Sequence, residues 1–220
     1  MTQPSAAEII RGSTRLRPVP LVPEIQLYQA SEPMSVWQET EQATGRIGSL
    51  NPPFWAFAWA GGQALARYLL DHPEAVTGRH AIDVASGSGL VAIAAVLAGA
   101  AAVTAYDIDP LAATAIAVNA DANGVVVPVV LADVRLHDDL PSPGTDLMLV
   151  ADAFYEQELA AEVLRLAERS RDHGAAVLIG DFGRAYLPRA RLVPLASYDV
   201  PGLRVLEDAD VKHTTVWTLR

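Results

Sequence analysis

Two stretches of this 220-residue chain combine residue types that do chemistry. In the first, Asp83-Val84-Ala85-Ser86-Gly87-Ser88-Gly89, a carboxylate stands shortly before two glycines, which let backbone approach a ligand closely. In the second, Asp152-Ala153-Phe154-Tyr155, a carboxylate and a phenol lie three residues apart. Between them Asp107 and Asp133 repeat one pattern, an acid at the end of a short apolar run. In a doubly wound sheet, ligands bind beyond the carboxyl ends of the strands, so Asp83, Asp107, Asp133 and Asp152 are predicted to gather along one edge. Turn initiation and helix capping account for any one of these acids, but less readily for all four beside a glycine turn.

The spacing also bears on the ligand. Gly87 to Ala92 fits the dinucleotide fingerprint G-x-G-x-x-G/A, with Asp107 about 20 residues on for a ribose. A dinucleotide strand runs apolar into its glycines, because the pyrophosphate sits on the helix N-terminus and an acid there repels it. Here Asp83 precedes Gly87. S-adenosylmethionine carries a sulfonium and an α-ammonium and no phosphate, so a carboxylate at this mouth attracts it. The acid favours a methyl donor over NAD.

The elements that must position these residues follow from periodicity. Ala81 to Ala85 reads as a strand, Leu90 to Ala98 as a helix stopped by Gly99, and Ala102 to Tyr106 as a second strand. Leu111 to Asn123 is predicted helical, Val125 to Leu131 is a β-branched third strand, and Asp146 to Ala151 is a fourth. A helix over Glu156 to Arg171 and a fifth strand over Ala175 to Ile179 follow. Leu192 to Val200 and Thr214 to Leu219 can then pair as an antiparallel edge. Upstream, Gly61 to Asp71 is a helix, and residues 1–50 are a proline-rich lead-in and cap with one short strand near Glu24 to Tyr28.

The composition is 51% hydrophobic and 19% charged, which fits a folded α/β domain and excludes a disordered chain. Cysteine is absent, so no disulfide or cysteine metal site exists. His72, His80, His137, His173 and His213 show no ligand spacing, and no metal is assigned. A net charge of −10 argues against a nucleic-acid footprint and suits a cationic protein surface. The uncharged run Leu90 to Tyr106 is split by Gly99 and small side chains, which argues against a membrane span. The first residues have no apolar signal core, so a cytoplasmic location is expected. Lys212 is the only lysine. Asn51-Pro52-Pro53-Phe54 matches the tetrapeptide with which adenine-N6 methyltransferases grip a flipped base, but it precedes the glycine turn instead of following the fourth strand. A proline-rich aromatic lid over the cofactor is the alternative.

With this order read, the chain resembles the class I, seven-strand S-adenosylmethionine-dependent methyltransferases. Within them it is similar to the lysine-directed family carrying D-x-x-Y after strand four, the electron transfer flavoprotein β-subunit lysine methyltransferases. The likeness is carried by PPFWAFAWAGGQALARYLLDHPE (52–74), DVASGSGLVAIAAVLAGA (83–100), DIDPLAATAIAVNA (107–120), DAFYEQELA (152–160), LIGDFGR (178–184) and HTTVW (213–217). It implies an α/β fold, a Rossmann-like seven-stranded, mostly parallel sheet with an antiparallel C-terminal strand pair and helices on both faces, over residues 51–220. It also implies S-adenosylmethionine as cofactor and a protein substrate bearing a lysine, either the flavoprotein β subunit or a ribosomal or other translation protein. Neither nucleic acid nor membrane is implied as partner.

Carried over by position, Trp59, Asp83, Ala85, Ser86, Gly87, Gly89, Asp107, Ile108, Asp133, Val134 and Ala151 are the cofactor candidates. Asp152 and Tyr155 are the catalytic candidates, facing the lysine. Phe54, Trp55 and Phe154 are candidate walls that desolvate it. Three positions depart from the family: Ala85 where a glycine is usual, Ala60 where Trp-Pro is common, and Phe182 where Asp-Pro-Gly-Arg is common. Ala85 calls for φ below zero or a small strain. A small-molecule N-methyltransferase shares every cofactor residue and differs in needing an enclosed pocket. An NAD-dependent dehydrogenase and a non-catalytic binding module also stay open.

Overall fold

The computed structural model describes residues 4–136, 140–201 and 211–220. The lead-in is more regular than its prolines suggest. Ser5 and Glu8 cap each other's backbone N–H groups and start helix α1 (Ala6–Ser13), which buries Ile9 and Ile10. A hairpin of β1 (Arg15–Val19) and β2 (Val22–Gln29) follows. Helix α2 (Pro33–Thr44) then opens on Pro33 and closes on Gly45 in the left-handed conformation.

From Ala60 onward the order is α3 (Ala60–Asp71), β3 (His80–Val84), α4 (Leu90–Leu97), β4 (Ala102–Asp107), α5 (Pro110–Ala122), β5 (Val129–Leu131), β6 (Leu147–Ala151), α6 (Gln157–Asp172), β7 (Ala176–Asp181), β8 (Leu192–Pro201) and β9 (Val211–Leu219). The strands from β3 on form one sheet in the order β5-β4-β3-β6-β7-β9-β8. Five of them are parallel, and β9 runs antiparallel to both β7 and β8. Chain direction across the sheet reverses between β3 and β6, and at such a switch point a crevice opens beyond the strand ends.

Alternation along the strands builds two apolar layers. Ala81, Leu147 and Leu149 pack under α3 and α4, while Ile82, Val84, Met148 and Val150 pack under α6. The third strand is shorter than its β-branched run predicts. Only Val129 to Leu131 pair with β4, because Pro128 has no N–H to give the ladder and contributes only its carbonyl, to Ala105 N–H at 2.9 Å.

The N-terminal segment is fastened to this sheet by α5. Ile10, Ala30 and Val36 share an apolar cluster with Trp55, Phe57, Leu111 and Ala115. Polar side chains do the rest. The open edge of β2 donates Gln26 N–H to Asn123 Oδ1 (2.9 Å) and Tyr28 N–H to Asn119 Oδ1 (2.8 Å). Asn119, fully buried, donates in turn to the Ser88 carbonyl of the glycine turn at 2.8 Å. One amide thus ties the hairpin to the cofactor turn.

Candidate active site

The crevice is framed by the ends of β3 and β6, and each is followed by a residue that resists the conformation it holds. Ala85 has φ +54° and Asp152 has φ +57°, the non-glycine residues with positive φ among those described. Such conformations are uncommon outside glycine, and they concentrate at functional sites. Ala85 therefore carries the strain that a glycine there avoids; its φ is not below zero.

Asp83 and Asp152 play matching structural parts. Helix α4 starts at Gly89 and helix α3 at Trp59, and neither has a capping side chain of its own. Asp83 reaches from β3 to accept the N–H of Ala92 at 3.1 Å, and Asp152 reaches from beyond β6 to accept the N–H of Gly62 at 2.8 Å. Each carboxyl group so meets the third residue of a helix, as an N-capping side chain does.

This placement corrects one expectation. Asp83 is only 1% exposed, one residue inside its strand, with the Ser86 hydroxyl donating to the same oxygen that caps α4. It shapes the turn from within and does not line the mouth, so its charge does not touch a ligand there. Burial pushes its carboxyl up to about 7, with Asp107 adding to the rise against the hydrogen bonds that lower it. The folded state thus prefers the protonated acid, whereas the unfolded chain holds it near ~3.9. Stability from this group is fully present below that lower value and is lost as pH rises through about 7. Asp83→Asn, which keeps one acceptor and gains a donor, is expected to flatten this loss; melting temperatures of both proteins at pH 5 and pH 8 measure it.

The other turn residues face outward in graded fashion. Ala85, Ser86 and Gly87 are half-buried, and a Cβ on Gly87 would meet nothing within 4 Å. Gly89 faces the other way: a Cβ there would come within 3.1 Å of Ile116 of α5, so it seats the helix and not a ligand. Asp107 accepts Gly87 N–H at 2.8 Å on one oxygen and Asp109 N–H at 2.9 Å on the other. Each oxygen keeps a further lone pair to accept with. Burial raises this carboxyl as well. Ile108 beyond it is 52% exposed, while Asp133, Val134 and Ala151 are half-buried at the ends of β5 and β6.

The aromatic candidates divide. Phe54 and Tyr155 are 42% and 49% exposed with ring centroids 5.6 Å apart, and Trp59 lies 6.0 Å from Phe54. Trp59 Nε1–H donates to the Phe54 carbonyl at 2.9 Å, fixing that edge-to-face pair at the start of α3. Trp55 and Phe154 do not join them. Both are buried in the core, Trp55 against α5 and Phe154 under α6, because adjacent residues of a tight turn point to opposite sides. Their assignment as substrate walls is withdrawn.

Around Asp152 the sequence reading missed a second acid and a base. β7 ends in Asp181, which is fully buried and accepts the N–H groups of Gly183 (2.6 Å) and Arg184 (2.7 Å). Burial raises its carboxyl, and Asp152 adds to the rise while Arg184 opposes it. The Arg184 guanidinium forms an ion pair with Asp152 and lies 3.6 Å from Asp181. It also covers the Phe182 ring at 4.3 Å, and Lys212 Nζ lies 4.6 Å from the same centroid. The missed signal was the strand-end acid recurring once more at Asp181. Among the described residues no group of three His, Asp or Glu is placed to hold a metal; His137 lies outside them.

Comparison with known proteins fits this geometry. The profile of the ribosomal protein L11 methyltransferase family (PrmA) matches residues 64–171. Over 90% of its length the chain is 36% identical to the electron transfer flavoprotein beta subunit lysine methyltransferase of Mus musculus and 37% to that of Danio rerio, covering 77% and 76% of those proteins. The human protein is 33% identical across 90% of this chain and 75% of its own. The chain belongs to the electron transfer flavoprotein β-subunit lysine methyltransferase family. It is accordingly an S-adenosylmethionine-dependent protein-lysine methyltransferase.

Solved structures agree on the fold of this methyltransferase. A Thermoplasma acidophilum protein superposes with a TM-score of 0.53 at 21% identity, over 72% of this chain and 89% of its own. The ribosomal protein L11 methylase of Lactobacillus delbrueckii subsp. bulgaricus gives 0.51 at 20%, over 74% and 81%. No described helix is long and apolar enough to cross a membrane.

Proposed function

We propose that this methyltransferase modifies a lysine of the β subunit of electron transfer flavoprotein, with S-adenosylmethionine held over the ends of β3 and β4. The observation that carries the substrate class is the exposure of Phe54 and Tyr155: this ring pair, with Tyr155 three residues after Asp152, stands on an open surface, which suits a side chain presented by another protein. A small-molecule enzyme needs an enclosed pocket here. The named relatives, matched across 90% of this chain, supply the target. The L11 methyltransferase profile covers 64–171, which holds the cofactor turn together with Asp152 and Tyr155.

The residues fit the cofactor. Gly87 leaves open the direction a Cβ would fill, the Asp107 oxygens have lone pairs for ribose hydroxyls, and Ile108 and Val134 offer apolar surface for an adenine. Ala85 and Ser86 supply backbone for the methionine part, Trp59 covers it, and Asp133 and Ala151 flank the base. When bound, S-adenosylmethionine supplies an electrophilic methyl group on sulfur, open to in-line attack by an amine.

What the chain must supply is position and a neutral amine. A lysine with pKa near ~10.4 is protonated at neutral pH, and removing that proton costs roughly 4–5 kcal/mol. Tyr155 and Phe54 strip water from the incoming nitrogen, which favours its uncharged form. Asp152, fixed by Gly62 and Arg184, orients it, and solvent takes the proton.

Purified protein incubated with radiolabelled S-adenosylmethionine and a cell extract, resolved on a gel with purified electron transfer flavoprotein alongside, tests the reading. One labelled band at the β subunit is expected. A band elsewhere overturns the target, and label confined to small molecules overturns the substrate class.

A further inference from the structure

Around Asp152, two acids are met by basic side chains. Asp152 and Asp181 are the acids; Arg184 pairs with both, and Lys212, reaching in from β9, shares the Phe182 ring with it. Tyr155 is the phenol on the open side, and Arg189 lies behind, its guanidinium 3.4 Å from the Gly183 carbonyl. The start of α3 adds the positive end of a helix dipole, worth roughly half a charge, directly on Asp152. Both Asp152 oxygens are already engaged, one by Gly62 N–H and one by Arg184. An arriving ammonium therefore finds a neutralised carboxylate with a guanidinium beside it.

We propose that Arg184 is a positioning residue that admits the target lysine as the free amine, by fixing Asp152 and by setting a permanent positive charge next to the incoming nitrogen. A like charge close to an amine disfavours its protonated form, and nearby cations activate lysine nucleophiles in this way. Arg184 holds that charge in a side chain only 11% exposed because two acids brace it and an aromatic face stacks on it. The proton leaves to water; the nitrogen lone pair then forms the new N–C bond as the C–S bonding pair withdraws onto sulfur. This rests on the protein-lysine reading above, whatever the target protein.

The test is turnover from pH 6.5 to 9.5 for the wild type, Arg184→Met and Arg184→Lys. Any protein lysine that the wild type labels serves as substrate, so a wrong target leaves the test intact. For Arg184→Met the acid limb of kcat is expected to move up by about one pH unit, giving about tenfold slower turnover at pH 7 and a gap of about twofold at pH 9.5. Arg184→Lys should keep the wild-type limb. Calorimetric affinity for S-adenosylmethionine and a melting curve show whether each variant is folded. An equal loss at every pH marks a structural role and overturns the proposal. So does a lower KM with unchanged kcat, which marks a guanidinium that only occupies the lysine's place. A wild type that labels no protein lysine removes this proposal together with the function.

Discussion

Asp152→Asn lowers turnover by about a hundredfold or more while affinity for S-adenosylmethionine stays within about threefold. The asymmetry follows from where the side chain acts. Asp152 lies beyond β6, and its carboxylate touches Gly62 and Arg184, whereas the cofactor turn hangs on Asp83, Asp107 and Asn119. An amide of the same size can still accept from Gly62, but its NH2 group or its missing charge breaks the pairing with Arg184. Asp181 still neutralises that guanidinium, so stability falls only modestly, by about 2 kcal/mol. Calorimetry with the methyl donor and single-turnover labelling separate the two effects. If binding and turnover fall together, Asp152 belongs to the cofactor site and the assignment fails.

Gly61→Ala should unfold or grossly loosen the protein, with a cost of about 3 kcal/mol or more, while Gly62→Ala next to it is neutral or stabilising by up to about 1 kcal/mol. A Cβ on Gly61 would sit 2.2 Å from the Gly180 carbonyl and 2.7 Å from Asp152 Oδ2. Neither neighbour is the free end of a flexible chain, so α3 must lift off β7. On Gly62 the nearest atom is a leucine methyl at 3.7 Å, an ordinary contact, and alanine lowers the helix's conformational entropy cost. Urea melts of both variants decide it. Equal stability would mean that the contact between α3 and β7 is slack.

Much of this was readable in the residues. The alternation of apolar runs with acids and glycines located every strand of the large sheet, since burial of both faces demands such runs. The reading failed where local pattern and environment part company. Residues 33–44 form a helix although prolines surround them, because Pro33 falls at the one helical position that tolerates it. Trp55 and Phe54 are neighbours of like type, and only the direction of a single turn puts one in the core and the other at the surface. Asp83 and Asp152 look alike in sequence, but a shift of two residues relative to the strand end buries the first wholly and leaves the second beside the crevice. Arg184 has a local partner in Asp181, three residues before it, but its pairing with Asp152, 32 residues earlier, is made only by the fold.

The hydrogen bonds of Asn119 join segments that lie almost a hundred residues apart. Through that one amide, the backbone of β2 and the turn that faces the methyl donor share a single rigid body, and freedom lost at one is lost at the other. Occupancy of the turn is therefore expected to slow amide exchange along residues 22–29. Equally, the first thirty residues are not an appendage to be trimmed for convenience: cutting them away would leave a buried amide facing solvent and the donor's cradle unbraced from behind.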